Sequence, residues 1–379
     1  FPEVSFATII FITDAWLIDN YFKFLAPPFT DEQKRAVTGF VNYNTAPNVA
    51  VGARRIDPRV FCDGTLPVAL RYDPVTNPTG ARCDVYDHTI NAFGADPITG
   101  FARRPLDNVG VQYGLRALNQ GIISKAQFLD LNEKIGGFDN DANLVPLRTE
   151  GDPVAIKAAY RTGRLTNGGL GLHAIPIIEY RAYNDDVPQG DVHLRYHTFS
   201  MRARLDKETG SHANHIALHE DNRYGLYSTE SPFLRFAILA MDRWITAIKA
   251  DAAPGSAFEK VIRNKPADLQ EGCMSRDASP TFIAENMTRD PAETCEQLYN
   301  SASFPREVAG SSVAADVIKC ALTPLNPYDY AVTFTSDEWQ RLRAIFPKGV
   351  CDWDKDGLFQ RPPTGTWLSY DGGKRTRTH

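Results

Sequence analysis

No apolar run in this sequence approaches the ~18 residues that a membrane-spanning helix needs. The longest, residues 6–12, is broken by Thr8 and suits a buried strand or the start of a core helix. Positive charge is not in surplus. The 41 Lys and Arg stand against 46 Asp and Glu, a formal net charge of −5 with His neutral. That balance excludes the basic stripe of a nucleic-acid partner. The short basic run Lys374-Arg375-Thr376-Arg377 reads as a solvated terminus. No C-x-x-C occurs and no His stands at ligand spacing from a Cys, so neither a zinc site nor any other metal or cofactor is expected. An initiator Met and a basic–apolar–small signal pattern are both missing. The chain therefore reads as cut from something longer, by processing or by truncation. Phe1 excludes an N-terminal nucleophile, which needs Ser, Thr or Cys. Internal repeats and low-complexity tracts are absent.

What is present is ordinary globular composition, 43% apolar and 23% charged over 379 residues. At roughly 100–200 residues per domain, that length allows two or three domains or one large domain with insertions. Six cysteines occur, at 62, 83, 273, 295, 320 and 351. Their order suggests three local loops, Cys62–Cys83, Cys273–Cys295 and Cys320–Cys351. Each would contribute about 3 kcal/mol by chain entropy. Such bonds persist in oxidising compartments, so a periplasmic or secreted protein is expected. Six free buried thiols are the alternative. A single sequon occurs, Asn286-Met287-Thr288, and would say nothing if the source were bacterial.

Along the chain, helical spacing begins at Asp14, a candidate cap, and runs through Trp16, Leu17, Tyr21 and Phe22 to residue 25. Capping boxes open helices at Thr30-Asp31-Glu32-Gln33, Ser124-Lys125-Ala126-Gln127 and Thr335-Ser336-Asp337-Glu338. Asp152-Pro153 opens another. Residues 41–100 are rich in Pro, Gly, Asn and Asp, with short extended pieces at 49–51 and 66–72. Residues 107–137 read as helical. From residue 172 the period changes: a buried strand over 172–180, a helix over 191–205, a short strand over 214–219, and an amphipathic helix opened by Ser231-Pro232. Strand, helix, strand, helix is the signature of parallel α/β architecture. The expected division is residues 1–60 as part of a hydrolase core, 61–170 as a loop-rich and helical lid insertion, 171–250 as core carrying an acid and a His, and 251–379 as a disulfide-bonded C-terminal extension.

In open α/β sheets, functional residues gather at the carboxyl ends of strands. Asp185 and Asp186 follow the first of these strands, and His219 ends the second in this reading. Acid after one strand and His after the next is the closing half of a Ser–Asp–His hydrolase. The acid would fix the imidazole tautomer and His219 would take the proton of the nucleophile. Adjacent acids in a turn also occur simply as turn formers. His193 competes as the base, in Asp191-Val192-His193, where Asp191 would serve as a helix cap. His215 and His197 are weaker candidates. No G-x-S-x-G is present. Neither Ser211 nor Ser311 precedes the acid and the His on a strand-to-helix turn, so the nucleophile is expected upstream of Phe1. Asp139, Asp141 and Asn143 alternate like the start of a calcium loop. Leu144 stands where such a loop needs Gly, however, so a polar turn is preferred. The run Gly168-Gly169-Leu170-Gly171 lacks the helix of a phosphate cradle and reads as a flexible entry to a strand.

Four stretches carry a family resemblance: Arg82-Cys83-Asp84-Val85-Tyr86-Asp87; Arg104-Pro105-Leu106-Asp107-Asn108-Val109-Gly110-Val111-Gln112-Tyr113; residues 128–137; and Lys319-Cys320-Ala321-Leu322 with the region of Trp339 and Cys351. Over nearly its whole length the chain resembles a large bacterial family of exported α/β-hydrolase-like proteins of unknown function. That family is similar in plan to tannase and feruloyl-esterase-type hydrolases. The resemblance implies a serine esterase acting on a small-molecule or polymeric ester, with the Ser on an N-terminal segment or chain of the same protein. A non-catalytic exported binding protein, or amidase or peptidase chemistry on the same scaffold, are the alternatives.

Overall fold

A computed structural model describes residues 6–169 and 171–364. Leu170, the opening five residues and the basic tail lie outside the described residues, so the expectations placed on them are not addressed. The chain divides into two compact units. One is built from the segment up to Thr166 and the segment from Ser303 on, the other from Asn167–Ala302.

The first unit is mainly helical. Its central helix, Phe6–Phe24, starts eight residues before the expected cap. The apolar residues before Asp14 face protein on all sides: Phe6, Ile9, Ile10, Phe11 and Ile12 are buried. A helix that is apolar all round belongs inside. Asp14 is therefore no cap. It is buried in mid-helix, where it accepts hydrogen bonds from the Tyr113 hydroxyl at 2.8 Å and from Arg306 Nε at 2.7 Å. This pairing ties the first segment of the unit to its last. All three expected capping boxes form, at Thr30, Ser124 and Thr335, and Asp152 caps Pro153–Arg161. The extended piece expected at 49–51 lies instead in the helix Thr45–Ala53, whose Pro47 sits in the first turn, where its missing N–H costs nothing. The stretch 107–137 is not one helix. Gly110, Gly114 and Gly121, all at positive φ, interrupt it and leave Leu115–Asn119 and Lys125–Lys134.

The second unit carries the sheet. Ile177–Tyr183 and His215–Asp221 pair in parallel, from Ile177 opposite His215 to Tyr183 opposite Asp221. Gly272–Met274 adds in parallel and Phe282–Ala284 closes the far side antiparallel. Helix Tyr196–Thr209 links the first two strands, and Pro232–Ala250 follows the second. The expected alternation of strand and helix is thus present, with shifted ends. The first strand begins directly after Pro176, whose missing N–H cannot join a ladder. The second does not end at His219. It continues through Glu220 to Asp221, and His219 is paired with Arg181 on one side and Cys273 on the other.

The two faces of this sheet differ. One is apolar: Ile216 and Leu218 pack on Phe233, Ala237, Ala240 and Trp244. The other gathers Tyr183, Ala217, Tyr299 and the Cys273–Cys295 disulfide, and beside them a buried polar network. The remaining disulfides, Cys62–Cys83 and Cys320–Cys351, lie in the first unit. All three pairings follow chain order. Three disulfides fit an extracellular or periplasmic protein. Among the described residues, no helix is long and apolar enough to cross a membrane.

Candidate active site

The polar face is organised by two Arg–His pairs. Arg202 Nε donates to His215 Nδ1 at 3.1 Å. That leaves the His215 proton on Nε2, which meets Glu179 Oε2 at 3.0 Å. Glu179 also accepts from the Thr198 hydroxyl at 2.6 Å, and Arg202 grips Glu271 through both terminal nitrogens. Burial opposes the charge of Glu179, but Arg181 and His215 outweigh it and hold the carboxyl well below its usual range.

The second pair contains a sequence candidate. Arg195 Nε donates to His219 Nδ1 at 2.9 Å. His219 is fully buried, and its Nε2 meets no hydrogen-bond partner among the described residues. Burial, then the charge of Arg195, push its pKa well below the ordinary histidine value. With Nδ1 accepting, the proton sits on Nε2. A general base that attacks through Nε2 needs the opposite tautomer.

Asp185 stands at the carboxyl end of the first strand. It is completely buried and accepts the backbone N–H of Arg195 at 2.9 Å and that of Ala302 at 3.2 Å. Burial pushes its pKa up to about 7, against the pull of those N–H groups and of Arg181. Asp185 and His219 thus both bind Arg195, one through its backbone and the other through its side chain, and make no hydrogen bond to each other. Asp186 turns outward and pairs with Arg276 at 2.8 Å. The Arg276 guanidinium lies over the rings of Tyr183 and Tyr299.

His193 has a different environment. Its Nδ1 meets Asp191 Oδ1 at 2.6 Å, and the same oxygen accepts the His193 backbone N–H. The imidazole is 47% exposed. Burial opposes ionisation of Asp191, but the hydrogen bonds from His193 prevail and hold its carboxyl below the usual range. With Nδ1 donating to a carboxylate, Nε2 carries the lone pair. This is the tautomer that a proton acceptor requires. Asp191 does not cap the following helix, which starts at Tyr196. Its orienting contact was the one missed in the sequence. An Asp side chain readily bonds the N–H two residues on, so Asp-x-His places an imidazole beside the same carboxylate. Elsewhere, Asp139 accepts the N–H groups of Asp141 and Asn143 in a polar turn.

Comparison with known proteins places the chain in a family. The model of a tannase-like family of unknown function covers residues 1–362. No curated protein and no solved structure matches the chain.

Proposed function

The chain belongs to this tannase-like family, and from that premise we propose that it forms part of a carboxylic-ester hydrolase. His193 acts as the general base and Asp191 orients it. The observation that carries this reading is the Asp191–His193 contact, which sets the imidazole tautomer and leaves Nε2 at a partly exposed position. His219 and Asp185 then serve the scaffold around Arg195. Asp186, with Arg276, lines the rim at the strand ends. The serine comes from another segment of the same protein, because no elbow motif lies in this chain. A mechanism follows from these roles. His193 Nε2 takes the serine proton as the hydroxyl attacks the ester carbonyl. The Asp191 carboxylate stabilises the resulting imidazolium, and the same proton then passes to the leaving alcohol.

The test is hydrolysis of galloyl and feruloyl esters by the full-length protein. His193→Ala should lower kcat by about 10²–10⁴-fold, and Asp191→Asn should also lower it. Full activity in His193→Ala, with loss confined to His219→Phe in a folded protein, would transfer the role to His219. The second reading is a non-catalytic binding protein. It is favoured by the absence of any hydroxyl partner for His193 Nε2 among the described residues. It predicts no turnover and no labelling by a fluorophosphonate.

A further inference from the structure

His193 is held at every polar group but one. Its backbone N–H and its Nδ1 both meet Asp191 Oδ1, each at 2.6 Å. Its carbonyl accepts a third bond, from Arg181 Nη1 at 2.8 Å. Among the described residues only Nε2 is left without a partner. Asp191 fixes the chain on its own side of the histidine. The direction of the ring also depends on the peptide that follows, and Arg181 holds that peptide through its carbonyl. Two residues on, Asp185 accepts the N–H of Arg195 and so ties together the ends of the loop that carries Asp191 and His193. Arg181 is itself pinned from below, in the strand Ile177–Tyr183. Its Nη2 pairs with Glu179 Oε1, and its Nε donates to the Thr198 hydroxyl at 3.3 Å. Glu179 is gripped in turn by Thr198 and His215, with Arg202 and Glu271 behind. A guanidinium is planar and rigid, so two pinned nitrogens fix where the third points.

We infer that Arg181 is a positioning residue for His193. Through the bond from Nη1 to the His193 carbonyl, it holds the imidazole in the orientation in which Nδ1 meets Asp191 and Nε2 points away from that carboxylate. This role rests on the reading of His193 as the base. It also gives the buried polar face a use. The chain of bonds from Glu271 through Arg202, His215 and Glu179 to Arg181 is the footing of the loop above it. A base set on a loop needs such a footing, because orientation is lost when the supporting groups are loose.

Arg181→Met tests this in the full-length protein, with the histidines labelled by nitrogen-15 and His193 assigned from the signals missing in His193→Gln. At about pH 8, above the ordinary histidine range, wild type should carry the His193 proton on Nδ1 alone. In Arg181→Met a large share should carry it on Nε2, the tautomer that a free imidazole favours. On a hydrolysed ester kcat should fall about 10–100-fold with KM unchanged, the mark of lost orientation and not of lost substrate binding. A merely structural role would lower the urea midpoint and leave the tautomer alone. Should Arg181→Met fail to unfold cooperatively, Arg181→Lys takes its place. The ammonium keeps a charge beside Glu179, but it ends where the guanidinium carbon stood, one bond short of the His193 carbonyl. The tautomer should shift in the same direction. An unchanged tautomer in a folded variant overturns the inference whether or not kcat falls, and so does a wild-type His193 already mixed between tautomers. A shifted tautomer with full kcat upholds Arg181 as the residue that positions His193, and the catalytic reading of His193 alone fails.

Discussion

Asp185 and His219 are both buried and both hydrogen-bond Arg195, and they affect stability with opposite sign. The folded Asp185 carboxyl titrates at about 7 against an ordinary 3.8. Between those values the unfolded chain has released a proton that the folded chain keeps. Stability from this residue therefore falls as pH rises from about 4 to about 7, and the full cost is present above 7. His219 is held well below 6.5. Below that value the unfolded chain takes up a proton that the folded chain refuses, so stability falls as pH drops. The two effects oppose one another between about pH 4 and 6.5, and above 6.5 only Asp185 acts. Asp185→Asn removes one of them. Its stability relative to wild type should rise by a few kcal/mol, in order of magnitude, from pH 4.5 to 7.5. Urea unfolding midpoints across that range supply the measurement. Parallel curves for the two proteins would show that the buried carboxyl is ionised at pH 5 and that the assignment of its environment is wrong.

At the scale of elements, the two Arg–His pairs are spaced by the geometry of helix and strand together. Arg195 and Arg202 are two helical turns apart, about 10 Å. His215 and His219 are four strand residues apart, about 13 Å. The helix therefore lays one guanidinium on each imidazole. Among the described residues only the first histidine finishes its chain of bonds, at Glu179, while His219 Nε2 has no partner. His215→Ala leaves Arg202 Nε and Glu179 Oε2 without this partner, whereas His219→Ala leaves only Arg195 Nε without one. The first should be the more destabilising by roughly 1–3 kcal/mol in chemical denaturation. Equal losses would mean that the Glu179 link contributes nothing.

None of this network could be read from the sequence, because each of its bonds joins distant segments. What could be read was local. A capping box needs only four residues, and those at Thr30, Ser124 and Thr335 were legible for that reason; a fourth, Ser256 with Glu259, has the same pattern and was passed over. The alternation of strand and helix after residue 172 was legible from periodicity. Asp14 and His219 were misplaced because a charged or polar residue inside an element looks like its boundary until a tertiary partner is known, Arg306 for the one and Arg195 for the other. Asp191 shows the reverse error: its local pattern was noticed and given a helix to cap, although its own imidazole neighbour lay two residues away.

For the molecule as a whole, the three disulfides close loops of similar size, with sequence separations of 21, 22 and 31. Chain entropy grows only with the logarithm of loop length, so each should contribute about 3 kcal/mol and loop length hardly ranks them. Their surroundings do. Cys273 and Cys295 are both fully buried, packed with Tyr183, Met287 and Tyr299 against the central strand. Cys62 is only half-buried, in a loop-rich stretch. A reducing thiolate must reach a sulfur to attack it. Under native conditions with a mild thiol reductant, Cys62–Cys83 should therefore open first. Cys273–Cys295 should open last, and only as fast as the sheet unit opens. Quenched alkylation read by mass spectrometry gives the order directly. In denaturant the difference in rate should collapse, because the protection comes from packing and not from the bonds themselves. If Cys273 and Cys295 are alkylated as early as Cys62 while the protein remains folded, the face of the sheet that bears the Arg–His pairs is open to solvent, and the shifts assigned to Asp185 and His219 fail with it.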